Sequence, residues 1–173
     1  MPMLPSVLPA PSAPAPVRWV GEAVDWAVVA IGAAMVVLVF ANVVLHVFSR
    51  DIAWTTEFCE FMMVWVTFLG GAAAARRGVH MSITEFLDKL TLRGRRWADA
   101  AIQLASAGML LLLLWYGAGL VNASWGNILT VLGWAMAWQY LALPVGAAAM
   151  LVFVGWDFVQ TVRGVPRETR YGT

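Results

Sequence analysis

A metal or haem site in this chain would start from two histidines and two glutamates, His46, His80, Glu57 and Glu60. Imidazole and carboxylate are ligands for zinc and iron, and a pair of histidines can hold a haem. Position argues against a shared ligand. His46 falls near the end of one apolar stretch and His80 just past the end of the next, so about 20 residues of helix, roughly 30 Å, separate their depths. Nucleophilic chemistry fares no better. Ser106, Thr67, Asn42 and Gln103 lie within apolar stretches, with no histidine or carboxylate expected at the same depth to serve as a base. Hydrogen bonding between helices is their expected role. The chain is therefore not read as an enzyme, and no catalytic residue, cofactor or metal ligand is assigned.

Asn42 and His46 are spaced i, i+4, and Arg50 continues that helical face. Ionisable residues inside a membrane face protein or a water-filled cavity. Glu57 and Glu60, at the matching depth of the following apolar stretch, are the natural partners, with an ion pair from His46 to Glu57 the sharpest form of that expectation. A structural clamp is favoured over a proton relay, because the opposite halves of the apolar stretches show no ionisable group to continue one.

Composition dictates the elements that must hold these residues. Of 173 residues, 61% are hydrophobic and 12% charged, against about 45–50% and about 25% in a soluble domain. The solvent of this chain is lipid. Its formal net charge of +1 argues against a nucleic-acid binder, which would need a clustered basic face, and its single cysteine, Cys59, excludes an intrachain disulfide. The first sixteen residues hold six of the eight prolines and no charge. Residues 1–17 are therefore expected to be a poorly ordered tail; prolines so spaced would break the apolar core of a signal peptide.

Asp25 and Arg50 bracket 24 uncharged residues, above the roughly 20 needed to cross a hydrocarbon core of about 30 Å. Glu60 and Arg76 bracket only 15, so the second span must draw on the segment from Trp54 to Glu60, which puts its carboxylates at or just inside an interface. From Ala100 to Trp156 there is no charge, and the chain must fold back, with turn-forming Asn122, Ser124, Gly126 and Asn127 marking the place. The expected fold is an all-α integral membrane domain over 18–162, with four spans at about 24–48, 55–76, 98–121 and 135–158, and a basic tail over 163–173.

The segment between spans two and three holds Arg76, Arg77, Lys89, Arg93, Arg95 and Arg96, and the tail holds Arg163, Arg167 and Arg170, while the two opposite loops hold only Arg50. Lysine and arginine concentrate on cytoplasmic loops, so both termini and the 76–96 segment are expected in the cytoplasm. Trp19, Trp54, Trp97, Trp125, Trp134, Trp138 and Trp156 fall near span ends, as in an interfacial aromatic belt, whereas Trp65 and Trp115 lie deeper and are expected to pack inside. Ser82 and Glu85 fit a capping box, followed by Ile83, Phe86, Leu87 and Leu90 at helical spacing. That reads as a short amphipathic helix over about 82–90 lying in the interface. Gly70 with Ala74 and Gly71 with Ala75 have the spacing that lets helices approach closely, either within the chain or against another subunit. Pro144 cannot donate to the Tyr140 carbonyl, so a kink is expected in span four.

The run ANVVLHVFSRDIAWTTEFCEFMMVWVTFLGGAAAARRGVHMSI, residues 41–83, resembles the signature of the small membrane subunit of tripartite ATP-independent periplasmic (TRAP) transporters, the DctQ-like subunit. Asn42, Trp54, Glu57, Trp65, Phe68, Leu69, Gly70, Arg76, Gly78 and His80 occupy the places of its motifs. WAMAWQYLALPVGAA resembles the family's last span, with Pro144 at its usual position, and the resemblance extends over residues 24–160. It implies a non-catalytic scaffold for a large sodium-coupled membrane subunit (DctM-like), which takes up an organic acid delivered by a periplasmic substrate-binding protein across the bacterial inner membrane. The partner-contact candidates are then Asn42, His46, Trp54, Glu57, Glu60, Gly70, Gly71, Arg76, His80 and Pro144. One departure stands out: His46 takes the place where the family commonly has arginine, and histidine changes charge in the physiological range where arginine does not. A stand-alone four-span protein, either a small channel or a respiratory anchor, is the alternative.

Overall fold

The computed structural model describes residues 14–48, 50, 52–77 and 92–164. The expectations for His80, for the interfacial helix at 82–90 and for most of both terminal tails lie outside the described residues. Within them the chain forms α1 (Ala15–Val47), α2 (Thr55–Arg76), α3 (Leu92–Ala123), α4 (Ala137–Tyr140) and α5 (Ala142–Val162). With α4 and α5 read as one interrupted span, four helices are long and apolar enough to cross a membrane. Among the described residues there is no strand, only an isolated bridge between Ile128 and Ala135. The all-α four-span fold expected from the charge spacing is the fold observed.

Local chemistry explains where the helices begin and end. Pro16 sits in the first turn of α1, where a missing N–H costs no helical hydrogen bond. At the other end, the Phe48 and Arg50 N–H groups both close on the Leu45 carbonyl at 3.0 Å. Ile52 N–H then donates to Asn42 Oδ1 at 3.1 Å, which fastens the connecting turn to the helix it leaves. The chain enters α2 at Thr55, with Glu57 in the first turn and Arg76 in the last, each favoured there by the helix dipole. In span four the ladder holds on both sides of Leu141, whose N–H donates to Ala137 at 2.9 Å and whose carbonyl accepts from Val145 at 3.2 Å. Pro144 leaves the Tyr140 carbonyl without its helical donor, and the helix is interrupted at Leu141, next to that carbonyl.

The spans stand in a row and not in a closed bundle. α1 packs on α2, α2 on α5, and α5 on α3, so the spatial order is one, two, four, three. Span four, flanked on both sides, is the most buried and α1 the least. Val24, Leu69, Ala72, Ala73 and Phe153 form one core cluster, and Leu110, Ala147 and Val154 another. Along α1, Val36, Val37, Phe40, Val43 and Val47 remain exposed, which suits contact with lipid or a second protein. Trp65 packs against the first cluster as expected. Trp115 does not pack inside: it is 78% exposed, because α3 stands at the end of the row.

Lipid tails are as apolar as leucine, so these helices must be held by close packing and polar links. The closest approach to a neighbouring helix backbone is at Gly146 of α5, where an added Cβ would lie 2.6 Å from Phe68 Cβ and 3.0 Å from the Phe68 carbonyl oxygen. Gly71 faces the Met150 methyl group, whereas an added Cβ at Gly70 would meet nothing within 4 Å. Of the two small-residue pairs noted in the sequence, the glycine of one serves an internal contact and the glycine of the other opens outward.

Candidate functional site

Polar links gather at the two ends of the row. One end comprises the C-terminus of α1, the N-terminus of α2 and the 124–136 connection. There, Glu57 reaches across to that connection. Its Oε1 accepts from Val131 N–H at 3.0 Å, and its Oε2 accepts from Val131 and Leu132 N–H at 2.9 Å each. The tip presents these two donors together because the chain doubles back tightly. Gly133 adopts φ +67°, its N–H donates to the Leu129 carbonyl at 3.0 Å, and Leu129 N–H donates to the Trp134 carbonyl at 2.8 Å. Left-handed φ at this point is readily supplied by glycine. Successive N–H groups in such a turn form a small anion-binding concavity, and the Glu57 carboxylate fills it.

Aromatic side chains close around this latch. Trp134 meets Phe58 and Phe61 edge-on, with centroids 6.1 and 5.9 Å away, and Trp54, which precedes α2, meets Phe58 edge-on at 5.7 Å. Trp65 Nε1 donates to the Trp138 carbonyl at 3.3 Å, binding the second span to the start of the fourth. At Glu57, for which the sequence pointed to His46, both oxygens accept from the loop, from Val131 and Leu132 N–H. His46 lies in the last turn of α1, Asn42 Oδ1 accepts from Ile52 N–H, and Glu60 is exposed one turn beyond Glu57.

At the other end, Arg76 Nη1 donates to Asp25 Oδ2 at 2.7 Å and Arg77 Nη2 to Asp25 Oδ1 at 3.4 Å. Arg76 lies across α1 where Gly21 has no side chain; a Cβ there would sit 2.5 Å from Arg76 Nε. On the far side of the row Gln103 is 2% exposed, and its Nε2 donates to Asp157 Oδ2 at 2.5 Å and to Thr161 Oγ1 at 2.9 Å. Thr161 Oγ1 donates in turn to the Asp157 carbonyl at 3.0 Å. Gln103 thus has the interhelical role expected of it. Thr67 instead bonds within its own helix, to the Met63 carbonyl at 2.7 Å. The expectation that no carboxylate shares the depth of Gln103 is overturned by Asp157, because α3 and α5 run antiparallel and bring residues near their start and end to one level.

Asp25, Gly21, Gly146, Asp157 and the 131–132 tip were not among the residues singled out from the sequence. Asp25 carried a signal, being an acidic residue at the foot of a span that ends on the same side as Arg76. Gly146 and the loop tip carried none, since their roles depend on which helices are neighbours.

Among the described residues no three of His, Cys, Asp and Glu are placed to hold a metal ion. What the geometry supplies is fastening: one set of links for spans one and two, one for spans three and four, and a latch from span two to the third connection.

Comparison with known proteins gives this arrangement a family. A family model described as the DctQ component of tripartite ATP-independent periplasmic transporters matches residues 35–164. A TRAP transporter small permease protein of Haemophilus influenzae is 34% identical over 74 residues, 42% of this chain and 46% of that protein. The ectoine TRAP transporter small permease protein TeaB of Halomonas elongata is 29% identical over 118 residues, 64% of this chain and 61% of TeaB. The matches thus span about half to three-fifths of these two relatives. The sialic acid TRAP transporter permease protein SiaT of Haemophilus influenzae is 22% identical over 139 residues, which are 78% of this chain but 22% of SiaT. The family match takes in the C-terminal part of α1 and all of the later spans, three quarters of the chain, and on that ground the chain belongs to the DctQ component family, the small permease components of TRAP transporters.

Proposed function

We propose that this chain is a non-catalytic scaffold for a large TRAP membrane subunit, in a sodium-coupled transporter that takes up an organic acid delivered by a periplasmic binding protein. The observation that carries the reading is the family match over residues 35–164, from the later part of the first span through the fourth. The alignment with SiaT adds to it, since a segment like this one makes up about a fifth of that longer permease. A row of helices with broad apolar faces, fastened at both ends, is suited to lying against a larger membrane protein. The relatives bear the names of different substrates, ectoine and sialic acid, which fits selectivity residing on other subunits.

In this reading the chain sits in the bacterial inner membrane with both termini and the 76–96 segment in the cytoplasm, and residues 82–90 lie in the interface as an amphipathic helix. Asn42, His46, Trp54, Glu57 and Glu60 face the periplasm, and Arg76 and His80 the cytoplasm. Deleting the chain while keeping the other subunits tests the proposal. Uptake and the membrane abundance of the large subunit should both fall, and a tagged copy should co-purify with that subunit. Undiminished uptake without this chain would sink the scaffold role, and purification of the chain alone under the same mild conditions would favour a stand-alone protein.

A further inference from the structure

We infer that the corner where α1 meets the end of α2 binds the phosphate of an anionic phospholipid, through Arg77 with help from Arg76. Two arginines share one aspartate there. Counting +2 for Arg76 and Arg77 and −1 for Asp25 leaves one positive charge. The two guanidiniums offer about ten N–H donors, and Asp25 supplies two oxygens, one for each. Arg76 is the better buried, at 30% side-chain exposure, and anchors the corner; Arg77 is 67% exposed and holds Asp25 only at 3.4 Å.

Depth makes the ligand a lipid and not a free anion. α2 has 22 residues ending at Arg76, about 33 Å of helix, matched to a hydrocarbon core of about 30 Å. In α1 the stretch from Trp26 to Val47 also has 22 residues, which leaves Asp25 just past the other edge of the same core. Both helices independently place the Asp25, Arg76 and Arg77 groups at the level of lipid phosphates. Trp19 and Trp26 flank Asp25 along α1 at 77% and 75% exposure, and indole rings settle at that headgroup level. Basic pockets between transmembrane helices are suited to anionic headgroups, and a guanidinium can meet a phosphate with two parallel bonds.

Native mass spectrometry of the full-length chain, delipidated in mild detergent and titrated with phosphatidylglycerol or phosphatidylcholine, tests this. Phosphatidylglycerol should be retained in preference. Arg77→Gln leaves the Arg76 bridge in place and should lower that retention about fivefold. Asp25→Asn, which removes the competing carboxylate, should raise it, and Arg163→Gln, at an exposed arginine of another corner, should leave it unchanged. The assignment is overturned if Arg77→Gln binds like wild type, if Arg163→Gln lowers binding equally, or if inorganic phosphate displaces the lipid, which would mark a free-anion site.

Discussion

A carboxylate in a membrane protein is costly unless its oxygens are used, and at Glu57 the users are the backbone groups of Val131 and Leu132. Hydrogen bonds to a charged acceptor contribute about 1.5–3 kcal/mol each. Glu57→Ala should therefore destabilise the purified protein by about 2 kcal/mol or more, with amide exchange accelerated first at Val131 and Leu132. Glu57→Gln, which keeps one acceptor oxygen, should show a smaller loss. Equal exchange at those two amides in wild type and Glu57→Ala would remove the latch from the account. A double-mutant cycle separates the latch from the clamp suggested by the sequence. Because Glu57 serves the loop, the effects of His46→Ala and Glu57→Ala on thermal stability should add within about 0.5 kcal/mol. The sequence marked Glu57 as a residue needing a partner and pointed to His46, but it gave no sign of the loop, since the tip at 131–133 has no charge and no motif. Its donors are backbone groups, present at every non-proline residue, and only the turn at Gly133 makes them a site.

Among the elements, the number of spans was legible because charge is excluded from hydrocarbon along a whole span, so each one is announced many times over by its composition. Helix neighbours were not legible. Gly70, Gly71 and Gly146 all sit in apolar stretches of small residues, and nothing in those stretches says that span four lies between spans two and three. The structure separates them by what a methyl group would strike. Gly146→Ala would press on the Phe68 backbone, 3.0 Å from its carbonyl oxygen, and should cost about 1–3 kcal/mol by overpacking. Gly70→Ala meets nothing within 4 Å and should be neutral, or stabilising by up to about 1 kcal/mol through helix propensity. Gly71→Ala falls between, since the Met150 methyl group that it displaces is the end of a flexible side chain. Thermal midpoints of the three variants in one detergent test the helix order directly. The row predicts that Gly146→Ala is the most damaging, and a greater loss at Gly70 would mean that span two turns its other face to span four. The interruption at Leu141 was more legible, because a proline's missing donor acts locally and needs no knowledge of neighbours.

At the scale of the whole molecule, the row sets Asn42, Glu57 and the 124–136 connection at one end, and Asp25, Arg76, Gln103 and Asp157 at the other. Charge separates the same two ends. The connections at the first end carry Arg50 as their only arginine or lysine, while the second end has Arg76, Arg77 and Arg163, together with the basic 89–96 segment in sequence. Basic residues resist transfer across the membrane during insertion, so the second end should remain in the cytoplasm. Single cysteines at Ser6, Thr91 and Thr173, in a Cys59→Ser background, should resist an impermeant thiol reagent in intact cells and react once the cells are opened. A fourth cysteine at Thr130, beside the Glu57 latch, should react in intact cells. Because four spans return the chain to its starting side, the sites are not independent: one orientation requires Ser6, Thr91 and Thr173 to behave alike and Thr130 to oppose them. Labelling of Thr91 from outside, with Thr130 protected, would invert the protein and place Glu57 in the cytoplasm. A split between Ser6 and Thr173 would deny an even number of spans and with it the row itself.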